Sequence, residues 1–299
     1  MRNKISVTAY YRSNNLDFTL AQGDCLELLP NINFQFDMIF ADPPYFLSNG
    51  GISVQSGKQV SVNKGDWDKS QGFEKDNDFN KQWLSLCREK LTDNGTIWVS
   101  GTFHNIFSVA QSMTELGYKI LNCITWQKNI PPPNLSCRFF THSTEFILWA
   151  KKSGKAKHYF NYELMKAING GTQMRDVWTL PAIAKWEKSC GKHPTQKPLP
   201  LLARIILAST KANDWILDPF SGSGTTGVAA AILGRRYLGL EGETEFLEMA
   251  KKRREELNDT KIKHDYYQKI SKYADAKCVD IFEIREPELY YGKDLEIDY

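Results

Sequence analysis

The sequence predicts an α/β fold, a mostly parallel seven-stranded sheet with helices on both faces, and three observations predict it. Short apolar runs alternate with longer amphipathic ones, as the strands and crossover helices of a parallel sheet do. One apolar run, Trp215 to Asp218, breaks into the turn Pro219-Phe220-Ser221-Gly222-Ser223-Gly224 and then into a helix opening near Thr226, the arrangement of a nucleotide-type cofactor site. Another, Phe36 to Ala41, runs into Asp42-Pro43-Pro44-Tyr45, which sets a carboxylate, two rigid prolines and an aromatic at a strand's carboxyl end.

In chain order, apolar runs of strand length lie at Phe18 to Gln22, Phe36 to Ala41, Thr96 to Ser100, Lys119 to Trp126, Thr144 to Ala150, Trp215 to Asp218 and Tyr237 to Glu241. Amphipathic stretches of helical length lie at Phe79 to Leu91, Ile106 to Leu116, Pro200 to Ser209, Thr226 to Leu233 and Glu243 to Leu257. The last of these ends in Lys251, Lys252, Arg253 and Arg254 followed by Glu255 and Glu256, and reads as the basic end of a helix rather than a DNA patch. Phe46 to Asn77 and Lys151 to Gly191 are the longest irregular stretches, and loops of that length in a compact domain are functional or disordered.

At 299 residues the chain suits one large α/β domain with an appended segment. Its 41% hydrophobic and 24% charged residues are those of a soluble globular protein. No run approaches the roughly 18 apolar residues of a membrane span, and Met1-Arg2-Asn3-Lys4 opens no signal peptide, so a cytoplasmic protein is expected. The six cysteines (Cys25, Cys87, Cys123, Cys137, Cys190, Cys278) lack paired spacing, which favours buried thiols over a zinc site or disulfides. From Asn258 onward 7 Lys/Arg face 10 Asp/Glu, a net of −3, which leaves 31 − 25 = +6 on residues 1–257. An acidic, tyrosine-rich extension over residues 258–299 is thus set apart from a moderately basic body.

A strand, Gly-x-Gly and helix occur in many unrelated nucleotide-binding folds, so the turn alone names no cofactor. Glu241 lies 241 − 218 = 23 residues beyond Asp218, close to the ~20 at which an acidic side chain meets ribose hydroxyls. The Gly-x-Gly-x-x-Gly spacing of a diphosphate site is missing after Gly224, which suits a cofactor without a diphosphate. The tetrapeptide Asp42 to Tyr45 has a plain reading as a turn, since prolines close strands. Its chemical reading is an exocyclic amino group on a nucleobase. That nitrogen's lone pair is delocalised into the ring; acceptors at Asp42 and the Pro43 carbonyl, made rigid by Pro44, would hold both N–H bonds and free it for attack, with no metal and no covalent intermediate. Tyr45 would stack on a base that has left the duplex.

These motifs together resemble the β-group DNA amino-methyltransferases, in which the catalytic tetrapeptide precedes the cofactor turn, and within them the adenine-N6 enzymes of restriction-modification systems. The resemblance spans residues 16–257. It implies a Rossmann-like methyltransferase fold with circularly permuted motif order and S-adenosylmethionine as cofactor. By the same resemblance Asp24 and Cys25 meet the cofactor's adenine, and His193, Thr195, Gln196 and Lys197 close over its methionine part. Asp218, Pro219, Phe220, Ser221, Gly222, Ser223, Gly224, Thr225 and Thr226 form the cofactor turn, with Asp42 bordering it and Glu241 on the ribose. An aspartate at position 42 is similar to the adenine-N6 members, whereas many cytosine-N4 members carry serine.

Ala41 to Gly51, Asn134 to Thr144 and Gly191 to Pro198 resemble the second adenine methyltransferases of DpnII-type systems, which implies the target GATC. The family's target-recognition segment maps to residues 151–189, where basic residues interleave with aromatics. Lys157, Tyr159, Arg175 and Lys185, with Asn134 and Arg138 in the preceding loop, are the expected DNA contacts, although any single lysine there also reads as a solvated charge. Residues 46–77, with Lys58, Lys64 and Trp67, are expected to be a mobile loop that orders on double-stranded or single-stranded DNA. A homodimer and a cognate restriction endonuclease are further expectations from the family. Cytosine-N4 methylation, transfer to RNA, and a non-catalytic recognition subunit remain open alternatives.

Overall fold

The seven expected strands form and are the interior of a nine-stranded sheet. The computed structural model describes residues 7–48, 52–55, 58–61, 65, 68–131, 133–134, 136–191 and 193–271. The elements are β1 (Ala9–Arg12), β2 (Phe18–Gln22), α1 (Cys25–Leu28), β3 (Phe36–Ala41), β4 (Ile52–Gln55), β5 (Lys58–Ser61), α2 (Phe73–Lys90), β6 (Leu91–Gly101), α3 (Ile106–Glu115), β7 (Lys119–Lys128), β8 (Thr144–Lys151), α4 (Tyr162–Ile168), β9 (Val177–Leu180), α5 (Leu199–Ser209), β10 (Trp215–Asp218), α6 (Thr225–Ile232), β11 (Arg236–Glu241), α7 (Thr244–Glu256) and α8 (Thr260–Ser271).

The sheet order is β1-β2-β11-β10-β3-β6-β8-β7-β9. From β2 to β6 every pairing is parallel. Asp218 and Asp42 therefore leave neighbouring strands at one carboxyl edge, with Leu217 in register with Ile39. β8 runs antiparallel to both β6 and β7, pairing Gly101 with Phe146 and Gln127 with Thr144. The end of β7, the start of β8 and the loop between them consequently return to the edge that carries Asp42.

Alternation along each strand divides the core between the two faces of the sheet. On one side Phe18, Met38, Phe40, Trp98, Trp149 and Ile216 pack with α4 to α8, Trp98 and Trp149 stacking at 4.7 Å and 9°. On the other Ala21, Ile39, Ala41, Ile97, Val99 and Leu217 pack with α1, α2 and α3. The strands are buried on both faces, so their sequences read as continuous apolar runs rather than alternating ones.

The extra strands, β1 and β9, are four-residue edge strands, too short to stand out by periodicity. α4 and β9 break up the irregular stretch expected between residues 151 and 191, and a ribbon of β4 with β5 lies within 46–77. α2 starts at Phe73, so that irregular stretch ends earlier than expected; Lys64 and Trp67 lie outside the described residues. The segment set apart at residue 258 is in part body: α8 buries Tyr266, Tyr267 and Ile270 against the α5–α6 side of the core. Its Ile262, Tyr266 and Ile270 follow a four-residue spacing that its charge obscures. Residues 272–299 of that extension, Cys278 among them, lie outside the described residues. The cysteines correct the expectation of uniform burial, because Cys25 and Cys87 are buried while Cys123 and Cys137 are exposed. Cys123 sits on β7, near the sheet's margin, where few side chains cover the outer face. Among the described residues no helix is long and apolar enough to cross a membrane.

Candidate active site

β10 delivers Asp218 fully into the interior, and the chain then turns through Gly222 (φ 50°) and Gly224 (φ 71°) before α6 begins. Both glycines hold a left-handed conformation that other residues strain to adopt, and a Cβ on Gly224 would lie 2.7 Å from that of Ala250. The Gly222 N–H donates to Glu241 Oε2 at 2.8 Å, so the carboxylate at the end of β11 locks the turn as well as facing the cleft. Arg253 of α7 is buried and donates to the Ser223 carbonyl at 2.7 Å and the Thr225 hydroxyl at 2.8 Å, bracing the turn from beneath. Arg254 is likewise internal, ion-paired with Asp17 at 2.7 Å.

β3 delivers Asp42 to the same edge, where its carboxylate is surrounded by donors. Tyr45 donates to Oδ1 at 2.6 Å, Ser100 at the end of β6 donates to the same oxygen, and Lys197 Nζ donates to Oδ2 at 2.6 Å. Burial pushes this carboxyl up, but the Lys197 ammonium and the three hydrogen bonds more than offset it and hold the group below the ordinary carboxylate range. Burial likewise pulls Lys197 down, and Asp42 and Glu145 together carry it above the ordinary lysine value. The pair is therefore ionised at neutral pH. The Tyr45 and Phe46 amides donate to Asp68 Oδ1 at 2.8 and 2.9 Å, fixing the chain as it leaves the two prolines with Phe46 at φ 58°.

Glu145, at the start of β8, extends this cluster. One of its oxygens accepts from Lys128 at the end of β7, and the other, buried without a hydrogen bond, lies 3.9 Å from Lys197 Nζ. Charges thus alternate Lys128, Glu145, Lys197, Asp42 from the β7–β8 junction to the tetrapeptide.

A cleft of about 340 Å³ opens beside Asp42, between the glycine turn and α1. Asp24, Cys25, Asp42, His193, Thr195, Pro219, Phe220, Gly222 and Glu241, named from sequence, all line it together with Pro44. Asp24 also caps α1, accepting from the Leu26 amide at 2.8 Å. Gln196, Lys197, Asp218, Ser221, Ser223, Thr225 and Thr226 lie around a smaller adjoining recess. Asp218 is pushed up to about 7 by burial, against donors at Thr226 Oγ1 (2.6 Å) and the Phe220 amide (3.0 Å). Burial raises Glu241 too, against hydrogen bonds from the Glu243, Gly222 and Gly242 amides.

Sequence reasoning missed Ser100, Asp68, Glu145, Phe79 and Phe246, the last two cleft-lining aromatics. Phe246 packs edge-on against the His193 ring at 4.2 Å. A hydroxyl closing the strand beside the tetrapeptide's was an available signal for Ser100; nothing local marks Asp68. Lys197, expected on the cofactor, is ion-paired to Asp42 and lines the adjoining recess.

The expected DNA contacts divide by edge. Asn134, Arg138 and Lys185 belong to connections that leave β7 and β9 toward the carboxyl edge, whereas Arg175 precedes the start of β9. Lys157 and Tyr159 do not: the Lys157 amide donates to Asn94 near the start of β6, and Lys211, just before β10, lies over the Tyr159 ring. Because β8 is antiparallel, the chain beyond Lys151 emerges at the opposite edge, roughly 20 Å from Asp42 at ~3.3 Å per residue. Asn134 is also folded onto its own loop, donating to the Phe139 carbonyl at 2.6 Å.

Comparison with known proteins agrees with this geometry. A family model described as DNA methylase matches residues 36–252. The chain is 58% identical over 253 residues to the type II methyltransferase M2.DpnII of Streptococcus pneumoniae, covering 84% of this chain and 94% of that one. It is 52% identical over 271 residues to M2.MboI of Moraxella bovis, covering 90% and 99%. Among solved structures, the M1.HpyAVI–SAM complex superposes with a TM-score of 0.61 at 31% identity, over 79% of this chain and 98% of that one. The PvuII cytosine-N4-specific methyltransferase shares the fold, with a TM-score of 0.63 at 18% identity over 90% and 97%. With its glycine turn and its Asp-Pro-Pro-Tyr carboxylate set at one sheet edge, the chain belongs to the N6/N4 DNA methylase family.

Proposed function

We propose that this protein transfers a methyl group from S-adenosylmethionine to the N6 amino group of an adenine flipped out of the sequence GATC, within a type II restriction-modification system. One observation carries the reading: an ionised Asp42 with one acceptor site left on Oδ2 borders a cleft lined by four carboxylates, Asp24, Asp42, Glu241 and Glu243, and by no lysine or arginine among the described residues. A site of that charge suits a cationic cofactor and repels a diphosphate.

The residues fit S-adenosylmethionine. Glu241 faces the cleft and would hold the ribose hydroxyls, Asp24 and Cys25 would meet the nucleobase, and Phe220 with Phe246 would supply apolar walls. Buried Asp218, with neutral donors only, is placed to meet a positive charge. When bound, the cofactor supplies an activated methyl group on a sulfonium.

A carboxylate offers about four acceptor sites, and Tyr45, Ser100 and Lys197 fill three on Asp42. The remaining one, on Oδ2, accepts an amino hydrogen of the base, and the Pro43 carbonyl accepts the other. Holding both hydrogens localises the lone pair on nitrogen and aims it at the cleft. Lys197 keeps Asp42 ionised, so no prior deprotonation is needed. The proton leaves the methylated nitrogen afterwards, to Asp42 or to water. Lys197 Nζ lies over the Tyr45 ring, 5.2 Å from its centroid, and Tyr45 is the aromatic on which the flipped base would stack.

Aspartate at position 42 supports adenine over cytosine, and likeness to M2.DpnII and M2.MboI supports GATC and a cognate endonuclease. The same reading includes a cytoplasmic protein working as a homodimer. The test is transfer of labelled methyl to GATC and scrambled oligonucleotides, single- and double-stranded, with the product digested to nucleosides. N6-methyladenine confined to GATC is expected; N4-methylcytosine, or label in the scrambled strand, would overturn the base or the site.

A further inference from the structure

We propose that Phe139 and Phe140 form a wedge that enters the duplex beside the target base and occupies the space it leaves in the stack. The inference rests on the base-flipping reading above and assigns a step of it to residues remote in sequence from both motifs.

The first observation is exposure. Phe140 is 95% exposed and Phe139 60%, consecutive aromatics on one loop, with Ile130 of the same loop at 88%. Such side chains gain nothing from the core, and adjacent aromatics left this exposed on one loop mark a surface that meets a partner.

The second is position. Residues 129–143 join β7 to β8 at the edge that carries Asp42. The loop's base is closed by the Lys128 amide donating to the Ser143 carbonyl at 2.8 Å, and by the ion pair of Lys128 with Glu145. Glu145 in turn faces Lys197, the partner of Asp42. From the other side, β6 passes from Ser100, on Asp42, to Phe103, whose ring stacks on His142 at 4.7 Å and 21°. His142 lies 5.6 Å from the Phe139 ring. The loop is therefore seated on two elements that also hold the catalytic carboxylate, and Asn134 ties its backbone at the Phe139 carbonyl.

The third is the choice of occupant. Exposed Arg138 precedes the aromatic pair and provides a phosphate contact beside an apolar tip, the combination with which proteins insert between base steps. Stacked bases repeat at about 3.4 Å, the thickness of one aromatic ring. A base drawn to Asp42 leaves a gap of that size in the duplex, and the wedge stands at the same edge. A second copy of the chain would instead need a broad patch of about 800 Å² on each partner, more than a loop tip of two aromatics offers.

The test compares wild type with Phe140→Ala and the double variant Phe139→Ala/Phe140→Ala on two duplexes, one intact and one with an abasic site opposite the target adenine. The residues are exposed, so the variants fold, and unchanged cofactor affinity by calorimetry checks it. Losing one or two stacking contacts should slow transfer to the intact duplex about 10- to 100-fold, and should reduce the fluorescence rise of 2-aminopurine at the target position. On the abasic duplex, where extrusion meets no partner base, the variants should come within about threefold of wild type, and Phe140→Trp should keep most of the activity on both. Unchanged rates on the intact duplex, or an equal loss on both, would overturn the wedge. So would a fall in molecular mass by light scattering in the variants, which would make the patch a contact between copies. If wild type itself methylates neither duplex, the functional reading fails rather than the wedge.

Discussion

Two aspartates, Asp218 buried and Asp42 largely so, end neighbouring strands of the sheet and are solved in opposite ways. Asp42, on β3, carries its own cation: Lys197 and two hydroxyls hold it ionised against burial. Asp218, on β10, is hydrogen-bonded by neutral donors only and is pushed up to about 7. The difference separates two kinds of readiness. On the proposed reading, the carboxylate that accepts hydrogens from a neutral base is compensated within the protein, while the one beside the cofactor cleft is left to be compensated by what binds there.

The largest effect that would break this contrast is at Asp42. Asp42→Ala should lower the single-turnover rate of methyl transfer by about 10³-fold or more, while calorimetry shows cofactor affinity within a few-fold of wild type; loss of both together would mean that the carboxylate serves the cofactor instead. Next is Lys197→Met, which strands Asp42 in a buried site. Removing one partner of such a pair costs about 3–5 kcal/mol, read as a lowered urea midpoint, and transfer should become dependent on pH because Asp42 no longer stays ionised. Glu241→Ala should weaken cofactor binding about 10- to 100-fold by removing one charge-assisted contact and loosening the turn at Gly222, with kcat for bound complexes little altered.

The smallest effect sharpens the comparison through pH. The folded-state value of Asp218 is raised, so its contribution to stability is fully present below the unfolded value of about 4 and is lost as pH rises through about 7. Asp42 has the opposite sign, since its lowered value contributes stability above the unfolded value that disappears as pH falls. Asp218→Asn should therefore gain stability relative to wild type between pH 4 and 8 in denaturant titrations. Binding of the cationic cofactor to wild type near pH 6.5 should release a proton, seen as calorimetric heats that vary with buffer ionisation enthalpy, and this release should vanish in the variant.

The same two regions explain what could be seen in the sequence. The cofactor half is local: strand, turn, helix and next strand follow within 218–241, so the spacing of Asp218, Gly222, Gly224 and Glu241 carries the geometry. The acceptor half is assembled from a distance. Lys197 meets Asp42 across 155 residues, Ser100 across 58, and Asp68 reaches back across a segment with no pattern of its own. Lys197 was visible as a residue, within a recognisable segment, but its partner was not. Tyr159 and Lys157 show the converse, being basic and aromatic neighbours in sequence whose placement depends on one antiparallel strand.

That strand has a consequence for how such an enzyme changes. β8 is fixed by backbone pairing to β6 and β7 over most of its length, and among its described residues the connection it carries at the carboxyl edge contributes no strand to the sheet. Residues 129–143 are thus a replaceable cassette. Exchanging them leaves Asp42, Lys197 and Glu145 in place, so on the proposed reading an ancestor that lost the wedge methylates more slowly but still folds and still turns over.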